Sequence, residues 1–459
     1  MEEGAKVKKL YWLFILPFVL AFIVWLWYPP LVKFVLVDVF GYPAPTQPPP
    51  LIWSLPLAFF YTWYVFFAVG VVGFLVVAAW IWKQHPVPKI GRSYPMVSFV
   101  VPAYNEERNI TRCISSLFEC AATFRGSSEI IIVDDGSTDN TYEVAWAAID
   151  SKRRESAHIR AKVVKHTANL GKAEALRTGA NKAMGEYIAI VDADTFWESA
   201  SLTELVDYMH AAKTLASSGY IHPSDGLNEH KLFVTLQQLE YSQGLGVLRR
   251  AEALGNAITV VPGPMGLYRS EVLRQLLNEK QTKSVTEDLE LTLEMQKKKM
   301  KIGYNDDARS ATMAPTTLRW FWRQRLRWSI GWLHNQLKIH KDLLLERRWL
   351  TLLLWYTLAP GFFGAALELI ALLSIPVFFW FAPDRVFFLL NLGMFLLLVL
   401  VVGVVQQTIA LKFAYNHYNY RRLLWYTPLY YVLRLINIFA KFTTLIQYAM
   451  GKKGTWHKD

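Results

Sequence analysis

Apolar residues are concentrated at the two ends of the 459-residue chain, whereas its middle has the mixed pattern of a soluble domain. Two long apolar runs, at about 10–28 and 51–82, precede the mixed part, and three follow it at about 349–381, 386–411 and 424–450. About 20 consecutive apolar residues are enough for a helix to cross a bilayer. The pattern therefore predicts two membrane spans before a soluble domain and about three after it.

Basic residues beside these runs indicate how the spans are oriented. Lys6, Lys8 and Lys9 precede the first run, and Lys83 follows the second. Because Lys and Arg favour the cytoplasmic side, we expect a multi-pass plasma-membrane protein with its soluble domain in the cytoplasm. The Pro-rich stretch 42–50 is then an external loop. The first run is too long and bulky for a signal peptide and is expected to be retained.

The last apolar run, 424–450, has two interpretations. A crossing there would leave the basic residues after it outside, against the charge bias. The run also carries Arg434 and Lys441 on one helical face. It either spans the membrane or lies partly in the interface or along a polar passage.

Between about 93 and 345, short runs of β-branched residues alternate with segments of helical pattern. The predicted strands are 97–101, 130–133, 161–164 and 187–191, and the predicted helices are 107–120, 138–149 and 172–183. This alternation predicts a mostly parallel α/β sheet, whose ligands bind beyond the carboxyl ends of the strands.

Composition supports a membrane protein with a soluble part. The chain is 53% hydrophobic, contains 18 Trp and carries a formal net charge of +12, which fits a cytoplasmic surface or an anionic substrate. Its middle has no basic stripe interleaved with aromatic residues, so we expect no nucleic-acid partner. The two cysteines, Cys113 and Cys120, have no metal-ligand companions nearby and are expected to be reduced core residues.

Polar clusters follow three of the predicted strands, at 102–106, 134–139 and 192–194. Asp192 and Asp194 end a run of buried character, and two carboxylates there suit a hard cation bound together with substrate phosphates. Taken alone, an Asp-x-Asp pair is more often a turn or helix cap than a cation site.

Lys172 stands at the start of a predicted helix, where a diphosphate would also meet the helix dipole. A solvated lysine is the plain alternative. Gly136 and Ser137 supply a turn and a helix cap after the second predicted strand.

Several motifs together resemble the processive membrane glycosyltransferases, a family that includes cellulose, chitin, hyaluronan and poly-N-acetylglucosamine synthases. The resemblance covers nearly the whole chain, and the motifs occur in the family's order. They are Val101-Pro102-Ala103-Tyr104-Asn105-Glu106, Asp134-Asp135-Gly136-Ser137, Lys172, Asp192-Ala193-Asp194, Thr286-Glu287-Asp288 and Gln324-Arg325-Leu326-Arg327-Trp328.

This resemblance implies a Rossmann-like GT-A domain of α/β class, with a mostly parallel sheet, embedded between transmembrane helices and accompanied by amphipathic interface helices. The expected division is a two-helix membrane region at 1–90, a cytoplasmic catalytic domain at 91–315, interface helices at 316–348 and a membrane region of about three helices at 349–459.

The resemblance also implies roles for particular side chains. Asp288 would be the general base, with Glu287 as a like-charged neighbour that raises its pKa. Asp192 and Asp194 would hold Mg²⁺ or Mn²⁺, while Gly263 and Trp328 would contact the acceptor sugar. UDP would be bound by Pro102, Ala103, Tyr104, Glu106, Asp135, Lys172, Gln324, Arg325 and Arg327.

Two plain readings accompany these roles. The segment 286–288 would also cap the helix that follows it. The aromatic and basic residues around Trp328 would also form a membrane-surface helix. Neither excludes a catalytic role.

The preferred function is that of a processive inverting UDP-sugar-dependent hexosyltransferase. It would polymerise a UDP-activated sugar, with UDP-N-acetylglucosamine as the expected donor, into a β-linked polysaccharide and translocate that product across the membrane. Its partners would be the donor, the growing glycan and the lipid membrane. A small membrane accessory subunit is left open. The alternatives are a non-processive transferase acting on a ceramide or polyprenyl phosphate, and a transporter or scaffold that only binds nucleotide; Asp288 argues against the last.

Polar residues inside the predicted spans are costly in lipid and should face protein or a polar pathway. Glu368, Gln406 and Gln407 are of this kind. We expect some of them to line a glycan channel together with Arg434, and a helix-packing role is equally open.

Overall fold

The computed structural model describes residues 15–43, 61–83, 88–91, 93–156, 158–226, 231–279, 284–382, 384–414 and 421–451. These residues belong to two compact units. One, which we call the apolar unit, is drawn from 1–84, 242–251 and 359–442. The other, the sheet unit, is drawn from 85–241, 252–358 and 443–459.

The described strands all belong to one sheet. They are β1 Val97–Ala103, β2 Ser128–Asp134, β3 Arg160–Lys165, β4 Tyr187–Ile190, β5 Thr195–Trp197, β6 Ala216–Ser224, β7 Gly266–Arg269 and β8 Ile302–Met313.

The described α-helices, in chain order, are α1 Leu16–Lys33, α2 Val72–Lys83, α3 Ile110–Thr123, α4 Thr141–Glu155, α5 Lys172–Lys182, α6 Ser201–Ala212, α7 Leu232–Gln243, α8 Arg249–Leu254, α9 Ser270–Glu279, α10 Glu287–Lys297, α11 Leu318–His334, α12 Trp349–Leu358, α13 Gly364–Phe381, α14 Arg385–Ala414, α15 Arg421–Leu424 and α16 Thr427–Ala449. Shorter segments of π or 3₁₀ geometry are Phe34–Val39, Phe66–Val71, Gly244–Leu248, Asn335–Ile339, Lys341–Leu345 and Ala359–Phe363.

The sheet has the strand order β3-β2-β1-β4-β7-β6-β8-β5. Its first four strands are parallel, with β1 pairing β2 and β4 and with β2 pairing β3. This confirms the four predicted strands and their parallel arrangement. Every residue of β1 and β2 is buried, which explains their continuous β-branched runs.

The other half of the sheet is mixed. Strand β7 runs antiparallel to both β4 and β6, and β5 runs antiparallel to β8, while β6 and β8 are parallel. The sequence pattern did not predict these four strands.

Helix α4 begins three residues later than expected, because the Asp139 carboxylate accepts the Thr141 N–H at 3.0 Å and ends the preceding loop there.

Five described helical stretches are long and apolar enough to cross a membrane: Leu16–Val39, Tyr61–Trp82, Trp349–Phe381, Arg385–Ala414 and Thr427–Ala449. Their number and order agree with the two apolar helices expected before the sheet and the three expected after it. The direction of each crossing stays a prediction. The N-terminal lysines, most of the Pro-rich stretch and the basic residues after 451 lie outside the described residues.

Several polar side chains within the apolar unit are paired with other groups of the protein. The Arg434 guanidinium lies 2.7 Å from both carboxylate oxygens of Glu368. Gln406 donates to the Ala68 carbonyl at 2.6 Å, and Gln407 donates to the Ser242 hydroxyl at 2.8 Å. These contacts support the helix-packing alternative, and the expected channel role stays a prediction.

The Arg434–Glu368 pair generates a stability prediction. Arg434→Leu should lower the midpoint of thermal unfolding in detergent by several degrees, because it leaves the Glu368 carboxylate without its partner among apolar helices. The double variant Arg434→Leu/Glu368→Leu should recover much of that loss. Fluorescence-detected size exclusion after heating measures both, and equal midpoints for wild type and Arg434→Leu would contradict a stabilising pair.

Candidate active site

The loop after β1 is tied to the loop after β2, because the two strands are parallel neighbours with Ala103 opposite Asp134. The Asn105 N–H donates to the Ser137 hydroxyl at 3.0 Å, and the Thr138 N–H donates to the Asn105 side-chain oxygen at 2.9 Å. Asn105 itself has a left-handed φ of 54°, which asparagine tolerates better than most residues. The predicted ligands Tyr104 and Glu106 flank Asn105 in this cross-linked loop, which we call the rim, whereas Pro102 and Ala103 are the buried last residues of β1.

Glu106 is anchored in the same rim. Its N–H donates to the Thr141 hydroxyl at 2.7 Å, and its carboxylate accepts from the Asn109 amide at 2.9 Å. The side chain is buried, so its described contacts shape the loop.

The Asp135 carboxylate organises the loop that leads to Lys172. One oxygen accepts the Leu170 N–H at 3.0 Å and lies 2.8 Å from His166 Nδ1, and the other accepts the Gly171 N–H at 2.8 Å. His166 Nε2 lies 3.0 Å from the Thr178 hydroxyl on α5. His166 was not predicted as a site residue, since a single histidine after an edge strand carries no distinctive signal.

Gly136 allows the turn after β2 and the loop before Lys172 to come into direct contact. Its φ is +68°, and a Cβ atom there would lie 2.4 Å from the Ala168 carbonyl carbon. Only glycine fits such a position, so the Asp-Asp-Gly turn and the loop before Lys172 pack directly on each other.

Lys172 joins two carboxylates from different parts of the chain. Its ammonium lies 2.7 Å from Asp192 Oδ1 and 2.7 Å from Glu287 Oε1. Burial alone would lower the pKa of Lys172, but Asp192, Glu287 and Asp288 together raise it above its usual range. The lysine is therefore a permanently charged bridge at the carboxyl edge of the sheet, and the solvated-lysine alternative does not describe it.

Glu287 and Asp288 begin α10 and titrate in opposite directions. Loss of contact with water, reinforced by the neighbouring Glu287 charge, raises the pKa of Asp288 to about 6. Burial would also raise the pKa of Glu287, but Lys172 and Arg327 lower it below its usual range. One carboxylate is thus held charged while the next can take up a proton near neutral pH.

A glycine loop lies against this carboxylate pair. The Gly263 N–H donates to Asp288 Oδ2 at 3.4 Å. Thr292 of α10 ties the loop in place, because its hydroxyl accepts the Val261 N–H at 2.8 Å and donates to the Asp288 carbonyl at 2.7 Å. Thr292, which is fully buried, is a second residue that the sequence analysis did not single out.

Asp192 and Asp194 flank the turn between β4 and β5. The Thr195 and Thr312 hydroxyls each donate to Asp194 Oδ1 at 3.3 Å, which holds this carboxylate at the junction of β5 and β8. Among the described residues no group of three or more His, Cys, Asp or Glu side chains could hold a metal. A donor set of two carboxylates fits Mg²⁺ or Mn²⁺ that takes its other ligands from phosphates and water.

The predicted motif on α11 divides into two parts. Arg327 lies close enough to Glu287 to lower the pKa of that carboxylate. Arg327 therefore lies near the Glu287–Asp288 pair. Arg325 is instead buried and 2.7 Å from Glu240 Oε2, with its guanidinium 4.5 Å from the ring centres of both Phe321 and Trp328. Its predicted phosphate contact stays a prediction, while in this structure it supports the Trp328 ring.

Gln324, the first residue of that motif, is partly buried. Its side-chain oxygen has no hydrogen-bond partner within the described part of the chain. Its predicted contact with the nucleotide stays a prediction.

Comparison with known proteins identifies the domain that carries these residues. Residues 98–277 match the model of glycosyl transferase family 2. The chain carries a family 2 glycosyltransferase domain. The match includes the Asp135, Lys172, Asp192, Asp194 and Gly263 positions described above.

The chain is also similar to two curated synthases. It is 29% identical over 236 residues to the poly-beta-1,6-N-acetyl-D-glucosamine synthase of Staphylococcus epidermidis, and 26% identical over 236 residues to that of Staphylococcus aureus (strain COL). In both cases the match covers 51% of this chain and 54% of the relative. The chain thus spans about half the length of the curated relatives it matches.

A solved structure supports the fold. The mannosyltransferase PcManGT from Pyrobaculum calidifontis, determined in complex with GDP-Man and Mn²⁺, superposes with a TM-score of 0.58 at 19% identity. The alignment covers 88% of this chain and 100% of that one. The family 2 domain therefore has the expected GT-A fold, accompanied by long apolar helices.

Gly263 provides a test of how closely the site is packed. A Cβ atom there would lie 2.7 Å from Lys172 Nζ and 3.0 Å from Asp192 Oδ1. Gly263→Ala should therefore disturb the Lys172–Asp192 contact and weaken UDP binding in the presence of Mn²⁺ by about tenfold, as loss of one charge-assisted contact would.

Isothermal titration calorimetry measures that affinity. Gly244→Ala is the matched control, because a Cβ atom at Gly244 meets nothing within 4 Å. Unchanged affinity in Gly263→Ala would show that this glycine does not border the nucleotide site.

Proposed function

We propose that the protein is an inverting glycosyltransferase that uses a UDP-sugar, UDP-N-acetylglucosamine first, to extend a β-linked polysaccharide. The observation that carries this proposal is the arrangement of Asp288, whose pKa is raised to about 6, beside Lys172 and Asp192. The similarity to synthases of an N-acetylglucosamine polymer supports the choice of donor. The match to only half of those relatives leaves substrate and product as proposals.

The reaction would proceed by a single displacement. Asp288 accepts the proton of the acceptor hydroxyl as that oxygen attacks the anomeric carbon of the donor sugar. The bond from that carbon to the diphosphate oxygen breaks, and its electron pair leaves with UDP. Attack from the opposite face inverts the configuration and gives a β-linkage from an α-linked donor.

Positively charged groups would stabilise the departing diphosphate. Lys172 is held at the site by two carboxylates, and Arg327 lies on the Glu287 side of it. A divalent cation held by Asp192 and Asp194 would supply further neutralisation of the diphosphate charge. Asp135 keeps its proposed contact with UDP and also orients the loop that contains Lys172.

The acceptor would lie between the Gly263 loop and Trp328. The main-chain N–H of Gly263 already faces Asp288 at 3.4 Å, and the Trp328 ring is backed by the Arg325 guanidinium. An aromatic ring suits the C–H face of a sugar. Processive extension, translocation through the apolar helices, a cytoplasmic catalytic domain in a multi-pass plasma-membrane protein and the division 1–90, 91–315, 316–348 and 349–459 belong to this proposal.

UDP release from the purified protein in detergent tests the proposal. We expect release with UDP-N-acetylglucosamine alone in Mg²⁺ or Mn²⁺, long β-linked product, and loss of at least about 10²-fold in rate for Asp288→Asn. UDP-glucose, UDP-galactose and UDP-glucuronic acid, singly and in pairs, are the comparison donors. Release that requires an added lipid and transfers one sugar would establish the lipid-acceptor alternative, and no release with any donor would favour a nucleotide-binding scaffold.

The raised pKa of Asp288 predicts the pH dependence. A protonated carboxyl cannot accept the acceptor proton, so kcat should fall about tenfold per pH unit below about pH 6 and stay level above it. Glu287→Gln removes the like charge that raises this pKa, and the acid limb should then move to lower pH. A limb that stays in place in Glu287→Gln would assign it to another group.

A further inference from the structure

The segment before Glu287 and Asp288 is an interlocked turn. The Ser284 hydroxyl lies 3.0 Å from that of Thr286 and accepts the Thr286 N–H at 3.2 Å. The Ser284 N–H donates to Glu290 Oε2 at 2.8 Å, and the Thr286 carbonyl accepts the Glu290 N–H at 3.1 Å. Whatever holds Ser284 and Thr286 therefore also fixes the start of α10.

Asn335, just after α11, holds both of these residues. Its side-chain amide donates to the Ser284 hydroxyl at 2.8 Å, the Thr286 hydroxyl at 3.2 Å and the Gly331 carbonyl at 3.0 Å. Asn335 is fully buried, and it opens the π-helical segment Asn335–Ile339. A buried amide that donates to hydroxyls loses these bonds outright when it is truncated.

Gly331 lets α11 come into direct contact with the turn. A Cβ atom at Gly331 would lie 2.4 Å from the Thr286 hydroxyl oxygen and 2.5 Å from its methyl carbon. Any larger residue would push Thr286 away. Gly331 and Asn335 lie one helical turn apart and together form a seat for Thr286.

We propose that Asn335 and Gly331 are positioning residues that set the location of Asp288 relative to Trp328. Trp328 lies on the same helix, three residues before Gly331. The ring proposed to contact the acceptor and the seat for Thr286 therefore belong to one element. The inference rests on the proposed function and adds to it a structural reason for the base to stay in register with the acceptor.

The rate should be sensitive to this seat. A misplacement of about 1 Å in a reacting group can cost about 10²-fold in rate. We expect Asn335→Ala to lower kcat by about 10- to 100-fold while the KM for the UDP-sugar stays within about twofold. Thr286→Val, which removes the accepting hydroxyl and keeps the side-chain shape, should give the same split, and Thr286→Ser should recover most of the rate.

Gln336→Leu is the matched control. Gln336 is the next residue along the chain and is 1% exposed, yet its amide makes no hydrogen bond to any part of the chain that the structure describes. Its replacement should leave both kcat and KM unchanged. An equal loss in Gln336→Leu and Asn335→Ala would attribute the effect to general destabilisation and overturn the proposal.

A double-variant comparison identifies the group through which Asn335 acts. In the Asp288→Asn background, Asn335→Ala should cause no further loss, because the base it positions is already absent. A multiplicative further loss, or wild-type kcat in Asn335→Ala, would overturn the inference. If Asn335→Ala does not fold, the comparison of Thr286→Val with Thr286→Ser decides. Full activity of Asp288→Asn would instead refute the proposed function.

Discussion

The bridge from Lys172 to Asp192 and Glu287 is the interaction on which the candidate site depends. It joins the start of α5, the end of β4 and the start of α10, with both ammonium–carboxylate distances at 2.7 Å. Truncating one member of this partly buried group would leave a charge of the other members without its partner. The positions of Asp192 and of α10 are therefore coupled through one side chain.

This bridge also separates the roles of two adjacent acids. The Glu287 carboxylate pairs with Lys172 and stays ionised, because the lysine lowers its pKa. The pKa of Asp288 is raised, first by burial and then by repulsion from the Glu287 charge, although Lys172 itself acts to lower it. What the lysine decides is which of the two adjacent acids stays ionised, because it lowers the pKa of Glu287 below its usual range.

Part of this arrangement could be predicted from the sequence because strand direction is a strong constraint. Asp135 and Asp192 each follow a buried β-branched run, and parallel strands bring their carboxyl ends to one edge. The mixed half of the sheet was not predicted, because its strands carry no continuous β-branched run. Strands β5 and β7 are only three and four residues long, and the longer β6 and β8 are rich in Ser, Gly, Asn and Asp.

The supporting residues could not be predicted, for a different reason. His166, Thr292 and Asn335 look like ordinary polar positions, and their partners become visible only when distant segments pack together. Arg325 shows the converse: a basic residue predicted to contact phosphate pairs with Glu240, 85 positions earlier in the chain. The residue type of Arg325 predicted a ligand contact, which stays a prediction. Its partner in the structure is a carboxylate that lies far away in sequence.

In the apolar unit, too, polar residues find their partners in distant segments of the chain. Residues 242–251 belong to this unit for that reason. Arg250 is 1% exposed, donates to the Phe413 carbonyl at 2.7 Å and lies 4.7 Å over the Phe413 ring. Gly246 packs closely on α14, since a Cβ atom there would lie 3.1 Å from the Ala410 carbonyl oxygen. The buried Arg250 guanidinium and the close contact at Gly246 together hold this short segment in the apolar unit. Assignment of a segment to a membrane-type unit therefore depends on where its polar groups find partners as much as on the length of its apolar run.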